Sequence, residues 1–229
     1  MTAPAFRKFT DRLQDVTATR AVVSTFGALA GFFGMEHGFF EVLQGNVAPG
    51  GLFFEAVAPH QSLWPDGNEL AMTLVPNLFV TGLLAMITGF LVICWSIAFV
   101  QRKLGASILL ILSIILLLVG GGIAPVELAV VAAAVATRIN KPLNWWRDHL
   151  SSSTRGILAK TWPWSLIMLV GVSLFTVSMS ITGWPLLFMD LNTALSSVWI
   201  LAFVMLGLIP LAVLSGFTRD IENAAGFSV

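Results

Sequence analysis

Three ionisable residues, Glu36, His37 and Glu41, lie inside an apolar run at residues 21–45 (AVVSTFGALAGFFGMEHGFFEVLQG) that is long enough to cross a bilayer. An ionisable side chain near the middle of a membrane helix costs about 2.5–3.5 kcal/mol on insertion scales, so such groups are kept where they have a partner or a task. Two carboxylates and an imidazole can hold a proton or a cation, or can lock helices together as hydrogen-bonded pairs. His37 and Glu41 are spaced i, i+4 and can touch on one helix face. The same spacing can present a nitrogen and an oxygen to one zinc, iron or manganese ion. Two ligands do not complete a metal site, and His60 and His149 fall outside the apolar runs. The expectation is no metal and no cofactor, with His37 and Glu41 as the residues that would overturn it.

Further polar groups fall at a similar depth. Gln44 lies near the end of the first run, Asn77 follows Pro76 in the second, and Glu127 follows Pro125 near the positive end of a short helix. A helix–helix hydrogen bond is the plain reading of Asn77, and helix-end stabilisation that of Glu127. With Glu36, His37 and Glu41 they make a candidate ion or substrate site confined to the outer half of the membrane. The inner halves of the same runs are almost entirely Leu, Ile, Val, Ala and Phe.

The elements that must position these groups are five apolar blocks, at 21–45, 70–100, 104–137, 162–184 and 191–217. As one helix the third block would be about 50 Å long, against a hydrocarbon core of about 30 Å. Gly120, Gly121 and Gly122 break it, and Pro125 is suited to opening a second arm. The result is a short glycine-broken hairpin, 104–119 and 126–137, which crosses twice or enters halfway. The fold class expected is all-α, a polytopic helical membrane bundle of about six transmembrane helices. With the N-terminus inside, all 12 Lys and Arg fall on the cytoplasmic side, which puts both termini there. Residues 1–20 read as a cytoplasmic amphipathic segment, with Phe6, Phe9, Leu13 and Val16 at helical spacing; 21–217 is the transmembrane domain and 218–229 a short tail. The first run reads as a retained span, not a cleaved signal. The outer loop 46–69 carries Phe53, Phe54 and Trp64 and a turn at WPDG, and is expected to fold back on the membrane surface.

On a helical wheel Gly27, Gly31, Gly34 and Gly38, together with Gly45, fall within about 60° of one another. Such a seam lets another helix approach closely. Glu41 falls beside the seam and Glu36 on the opposite face, so a helix that hides both from lipid has protein or water on two sides.

Composition removes several function classes. The chain is 57% hydrophobic and 10% charged, with mean hydropathy +0.89, where soluble domains carry about 25% charge. No basic stripe is present, so nucleic acid is not an expected partner. Cys94 is the only cysteine, which excludes an intramolecular disulfide and a thiolate-built zinc or iron–sulfur site. No P-loop, no pair of membrane histidines for a haem and no serine–histidine pattern stands out; Ser196 and Ser197 read as packing residues. The balance is against an enzyme.

The stretches GMEHGFFEVLQGN (34–46) and MTLVPN (72–77) resemble a pattern that recurs in uncharacterised multi-spanning bacterial membrane proteins. That resemblance implies a multi-pass protein of the cell membrane, in bacteria the inner membrane, and carries no activity, substrate or cofactor. The function expected is a small transporter or channel-like protein with an outward-facing carboxylate and histidine site. The alternative is a non-catalytic subunit or assembly factor that packs through the glycine seam. The partners are the lipid bilayer and, in the alternative, a second copy or a partner subunit.

Overall fold

The computed structural model describes residues 17–58, 61 and 69–226. The expectations for Phe6, Phe9, Leu13 and Val16, and for Trp64 and its turn, lie outside them. Seven helices dominate the described residues: α1 (Ala18–Gln44), α2 (Leu78–Cys94), α3 (Gly105–Leu118), α4 (Ile123–Ala136), α5 (Asn144–His149), α6 (Ser152–Thr182) and α7 (Leu191–Gly226). Four of them are long and apolar enough to cross a membrane, namely α1, α2 with the π-helical turn Trp95–Phe99 that continues it, α6 and α7. The two arms of the glycine-broken hairpin are the shorter apolar helices α3 and α4.

α1 is the central helix. In its most apolar stretch 61% of residues are buried, against 39% for α2, 33% for α6 and 6% for α7. It packs on α2 and α4 and also meets α6 and α7. The α1–α2 contact is made by glycines on both helices. Gly31 lies against the backbone oxygen of Gly89 and Gly38 against that of Gly82, and the relation is reciprocal. Two antiparallel backbones thus touch where any side chain would hold them apart. Gly27 packs on Ser96 and Gly34 on Leu116 of α3. Gly45 differs from the wheel: at φ 88° it caps the C-terminus of α1 instead of extending the seam.

The second apolar block is not one helix. Leu70–Met72 forms a strand, β2, antiparallel to β1 (Phe53–Glu55), with Phe54 opposite Ala71. Helix α2 starts only at Leu78, because the Asn77 side chain accepts from the backbone N–H of Val80 and caps it. Apolar character alone cannot separate a short strand from the start of a span. Among the described residues β1 lies against the end of α1, with Phe54 buried and Phe53 exposed.

At the opposite end lie the basic residues of α6 and of the segments flanking α3, α4 and α5. α6 begins at Ser152, ten residues before the apolar block at 162, and α7 runs on to Gly226, past the expected boundary at 217. The extension has a task. Asp220 accepts from the backbone N–H groups of Ala18 (2.7 Å) and Thr19 (2.9 Å), while Thr17 accepts from Arg20, so α7 caps the N-terminus of α1. Beside it, Arg155 of α6 donates to Glu222 at 3.0 Å and to the carbonyl oxygens of Arg147 and Leu150. Asp220→Ala is expected to lower stability by about 1–2 kcal/mol, the cost of a lost cap. Equilibrium unfolding of the purified protein in mixed micelles checks this; an unchanged midpoint would remove the cap from the account.

Candidate functional site

Glu36 and His37 lie about 12 and 10.5 Å below the end of α1 at Gln44, at 1.5 Å per residue, and Glu41 about 4.5 Å below it. His37 is 1% exposed and Glu41 0%. Two layers cover them. The first is the turn between α3 and α4: Gly120 packs on the Glu41 carboxylate and Gly122 on the His37 ring, both at positive φ (97° and 78°). A Cβ on Gly120 would run into both Glu41 oxygens, and one on Gly122 into His37 Nε2. The glycine triplet therefore breaks the helix and also fits the backbone over the buried ionisable groups, a second role its sequence did not announce. The turn is held by Thr81, whose hydroxyl donates to Val119 O (2.7 Å), and by the backbone N–H of Leu74, which donates to Leu118 O (2.9 Å).

The second layer is the β-hairpin. Gln44 donates from Nε2 to Glu55 O (3.0 Å) and Ala56 O (2.7 Å), and Gln61 donates to Phe40 O (3.0 Å). Gln44 thus pins the cover onto α1 instead of facing a cavity. Asn77, the α2 cap, also donates to the Asn46 side chain, which places it at the helix end and not within the span.

The hairpin brings in a residue that the sequence reading did not single out. Glu69, one residue before β2, sets Oε2 at 2.9 Å from His37 Nε2. On the other side of the ring, Nδ1 donates to Phe33 O at 2.9 Å, since a carbonyl oxygen can only accept. Glu36 Oε2 lies 3.1 Å from the same Nδ1. That nitrogen's hydrogen is already directed to Phe33, so Glu36 lies against the ring while its own oxygens have no hydrogen-bond partner among the described residues. Glu36 therefore does not face away from His37, as the wheel implied: its side chain bends back toward the ring. The His37–Glu41 pairing expected from the i, i+4 spacing is replaced by Glu36 and Glu69. Neither oxygen of Glu41 is hydrogen-bonded among the described residues.

One nitrogen of His37 and one oxygen each of Glu36 and Glu69 lie within 4.8 Å of one another. Glu69, with 29% of its side chain exposed, is the most accessible of the three. It also lines a cavity of about 530 Å³ between α4, α6 and α7, whose wall includes Phe33, Glu127, Leu169, Met205 and Ile209. Glu127, exposed in the second turn of α4, faces this cavity and is not part of the trio. Outside the helices, Asp190 accepts from the backbone N–H and hydroxyl of Thr193 at the start of α7, and those hydrogen bonds hold its carboxyl below the usual carboxylate range.

Comparison with models of protein families, with curated proteins and with solved structures gives no match.

Proposed function

We propose that the chain is a small multi-pass membrane protein that takes up a cation from the outer side, at Glu36, His37, Glu69 and Glu41, in the manner of a secondary transporter. In this reading α1, α2, α6 and α7 cross the membrane, α3 and α4 form two short crossings, and the basic end is cytoplasmic. The observation that carries the proposal is the charge balance of the site. Three carboxylates surround one imidazole beneath a backbone lid, and a low-dielectric interior tolerates that arrangement only with positive charge bound there. Access is one-sided. Toward the basic end the site is backed by Val22, Val23 and Phe26, all 0% exposed, so the cation is held from the outer side in this state. A broken helix pair lining a carboxylate site in the membrane is a recurring feature of transporters.

The alternative, a subunit that packs on a partner through its glycines, has less support. Gly31 and Gly38 are already in contact with Gly89 and Gly82 of the same chain and are not free for another. The exposed apolar faces, such as Trp199, Ile200, Phe203 and Leu206 on α7, suit lipid.

Reconstituted vesicles test the proposal, with one dye inside that reports protons and another that reports divalent metal. Uptake of one of these cations is expected with the native protein, and its loss in Glu36→Gln/Glu41→Gln. Uptake equal in the double variant and the native protein would defeat the transport reading.

A further inference from the structure

We propose that Glu36, His37 and Glu69 form a binding site for one divalent transition-metal ion of the zinc class. This rests on the outward-facing cation site proposed above and names its cation.

The tautomer comes first. His37 Nδ1 carries a proton, because its partner Phe33 O can only accept. A neutral ring therefore has its lone pair on Nε2, and Nε2 faces Glu69 Oε2 at 2.9 Å. A lone pair and a carboxylate oxygen repel at that distance unless positive charge sits between or beside them. The backbone carbonyl on Nδ1 is also the usual support for a histidine that ligates metal through its other nitrogen.

The spacing follows. The three ligand atoms lie within 4.8 Å of one another. In a tetrahedral zinc site with bonds of about 2.0–2.2 Å, ligand atoms are about 3.3 Å apart. Glu69 Oε2, at 2.9 Å from Nε2, moves out slightly, and Glu36 Oε2, at 3.1 Å from Nδ1, swings past the ring edge toward Nε2, which its rotatable side chain allows. Gly122 packs over His37 Nε2, where any side chain would strike the nitrogen, so glycine at this turn leaves the space beside that atom unfilled by a Cβ.

Charge separates a divalent ion from a single proton, since one proton leaves a balance that only a second proton on a carboxylate would complete. A proton on Nε2 leaves the trio with one net negative charge; a divalent ion with a neutral ring brings it to zero. Glu41, buried one turn along α1 with neither oxygen hydrogen-bonded among the described residues, adds to the preference for the higher charge. Ligand chemistry separates zinc from magnesium and calcium. Those ions favour six or more oxygen ligands, whereas one imidazole and two carboxylates suit zinc, iron or manganese. Three protein ligands leave a fourth position for water or an incoming group. Glu69, shared with the cavity wall, marks the side from which it comes.

The test uses the full chain in detergent, stripped with a chelator, dialysed and titrated with Zn2+ alone. Bound metal is counted by mass spectrometry and affinity measured by calorimetry, with circular dichroism to verify the fold. About one Zn2+ per chain is expected. Glu69→Gln, which changes a half-exposed residue on the hairpin, should weaken binding at least about tenfold, as should His37→Ala. Asp148→Asn, on α5 at the basic end, should bind as the native protein does. No stoichiometric Zn2+, equal binding by folded Glu69→Gln, or Mg2+ competing at equal concentration would each overturn the metal site. Vesicle uptake keeps the two proposals apart. Stoichiometric Zn2+ without any cation uptake supports the metal site and removes transport. Proton uptake that needs Glu36 and Glu41, in a protein that binds no Zn2+, overturns the metal site and leaves transport standing.

Discussion

Gly31→Leu is expected to prevent the bundle from assembling, whereas Gly171→Leu is expected to leave it intact. Gly31 faces the backbone oxygen of Gly89 and the base of Ile93 across the α1–α2 contact. A leucine there meets a carbonyl oxygen that has no rotamer to adopt, so the two helices must separate. The separation also pulls apart the Gly38–Gly82 contact further along the same seam, and with it the glycine turn that covers His37 and Glu41. Overpacking a core costs about 1–3 kcal/mol when side chains can yield. A collision with backbone belongs at or above about 3 kcal/mol, a large part of the stability of a typical domain. Gly171, on α6, has no atom within 4 Å of the place a Cβ would occupy, and its exposed face tolerates a larger apolar side chain. Equilibrium unfolding in mixed micelles distinguishes the pair. A Gly31→Leu protein with the native midpoint would mean that α1 and α2 do not approach as described.

The long elements were legible because each is specified by local sequence. An unbroken apolar run predicts a membrane-length helix wherever it falls, and three glycines followed by a proline predict the turn between α3 and α4. The glycine seam was legible for the same reason, since a wheel needs only the helix's own period. What the wheel could not supply is the partner. Glu69 reaches His37 because β1 and β2 pair across a loop, and nothing in the spacing of residues 37 and 69 records that. Glu36 was misplaced for a different reason. A wheel fixes where a Cα points, but a glutamate has three rotatable bonds, enough to bend back toward the neighbouring ring. Asn77 looks embedded because residues 70–76 look apolar, and Gln44 because it closes the apolar run at 21–45. With β2 at residues 70–72 and α2 starting at Leu78, Asn77 stands at a helix start, and with α1 ending at Gln44 that residue stands at a helix end, where polar side chains cap and pin.

Glu41→Met should make the protein more stable and less active. The carboxylate is 0% exposed, is covered by the backbone at Gly120, and has no hydrogen-bond partner among the described residues. A buried polar group left unpaired costs about 1–3 kcal/mol, and more when charged. Methionine has a similar length and the flexibility to fill the same space without that cost. A gain of about 1–3 kcal/mol is therefore expected in mixed-micelle unfolding, with cation uptake reduced in the vesicle assay. If Glu41 were instead part of the scaffold, bonded in a way that holds α1 to the glycine turn, the same substitution would lower the midpoint. The sign of the change thus decides between the two. Proteins keep destabilising groups where function needs them, and an unpaired acid beside Glu36, His37 and Glu69 fits that description. The metal site adds a finer expectation. Glu41 is not one of the three ligands, so Glu41→Met should weaken Zn2+ binding less than Glu69→Gln does. Glu41 would then serve chiefly to raise the negative potential that draws the ion in, and its removal should slow uptake more than it loosens the bound state.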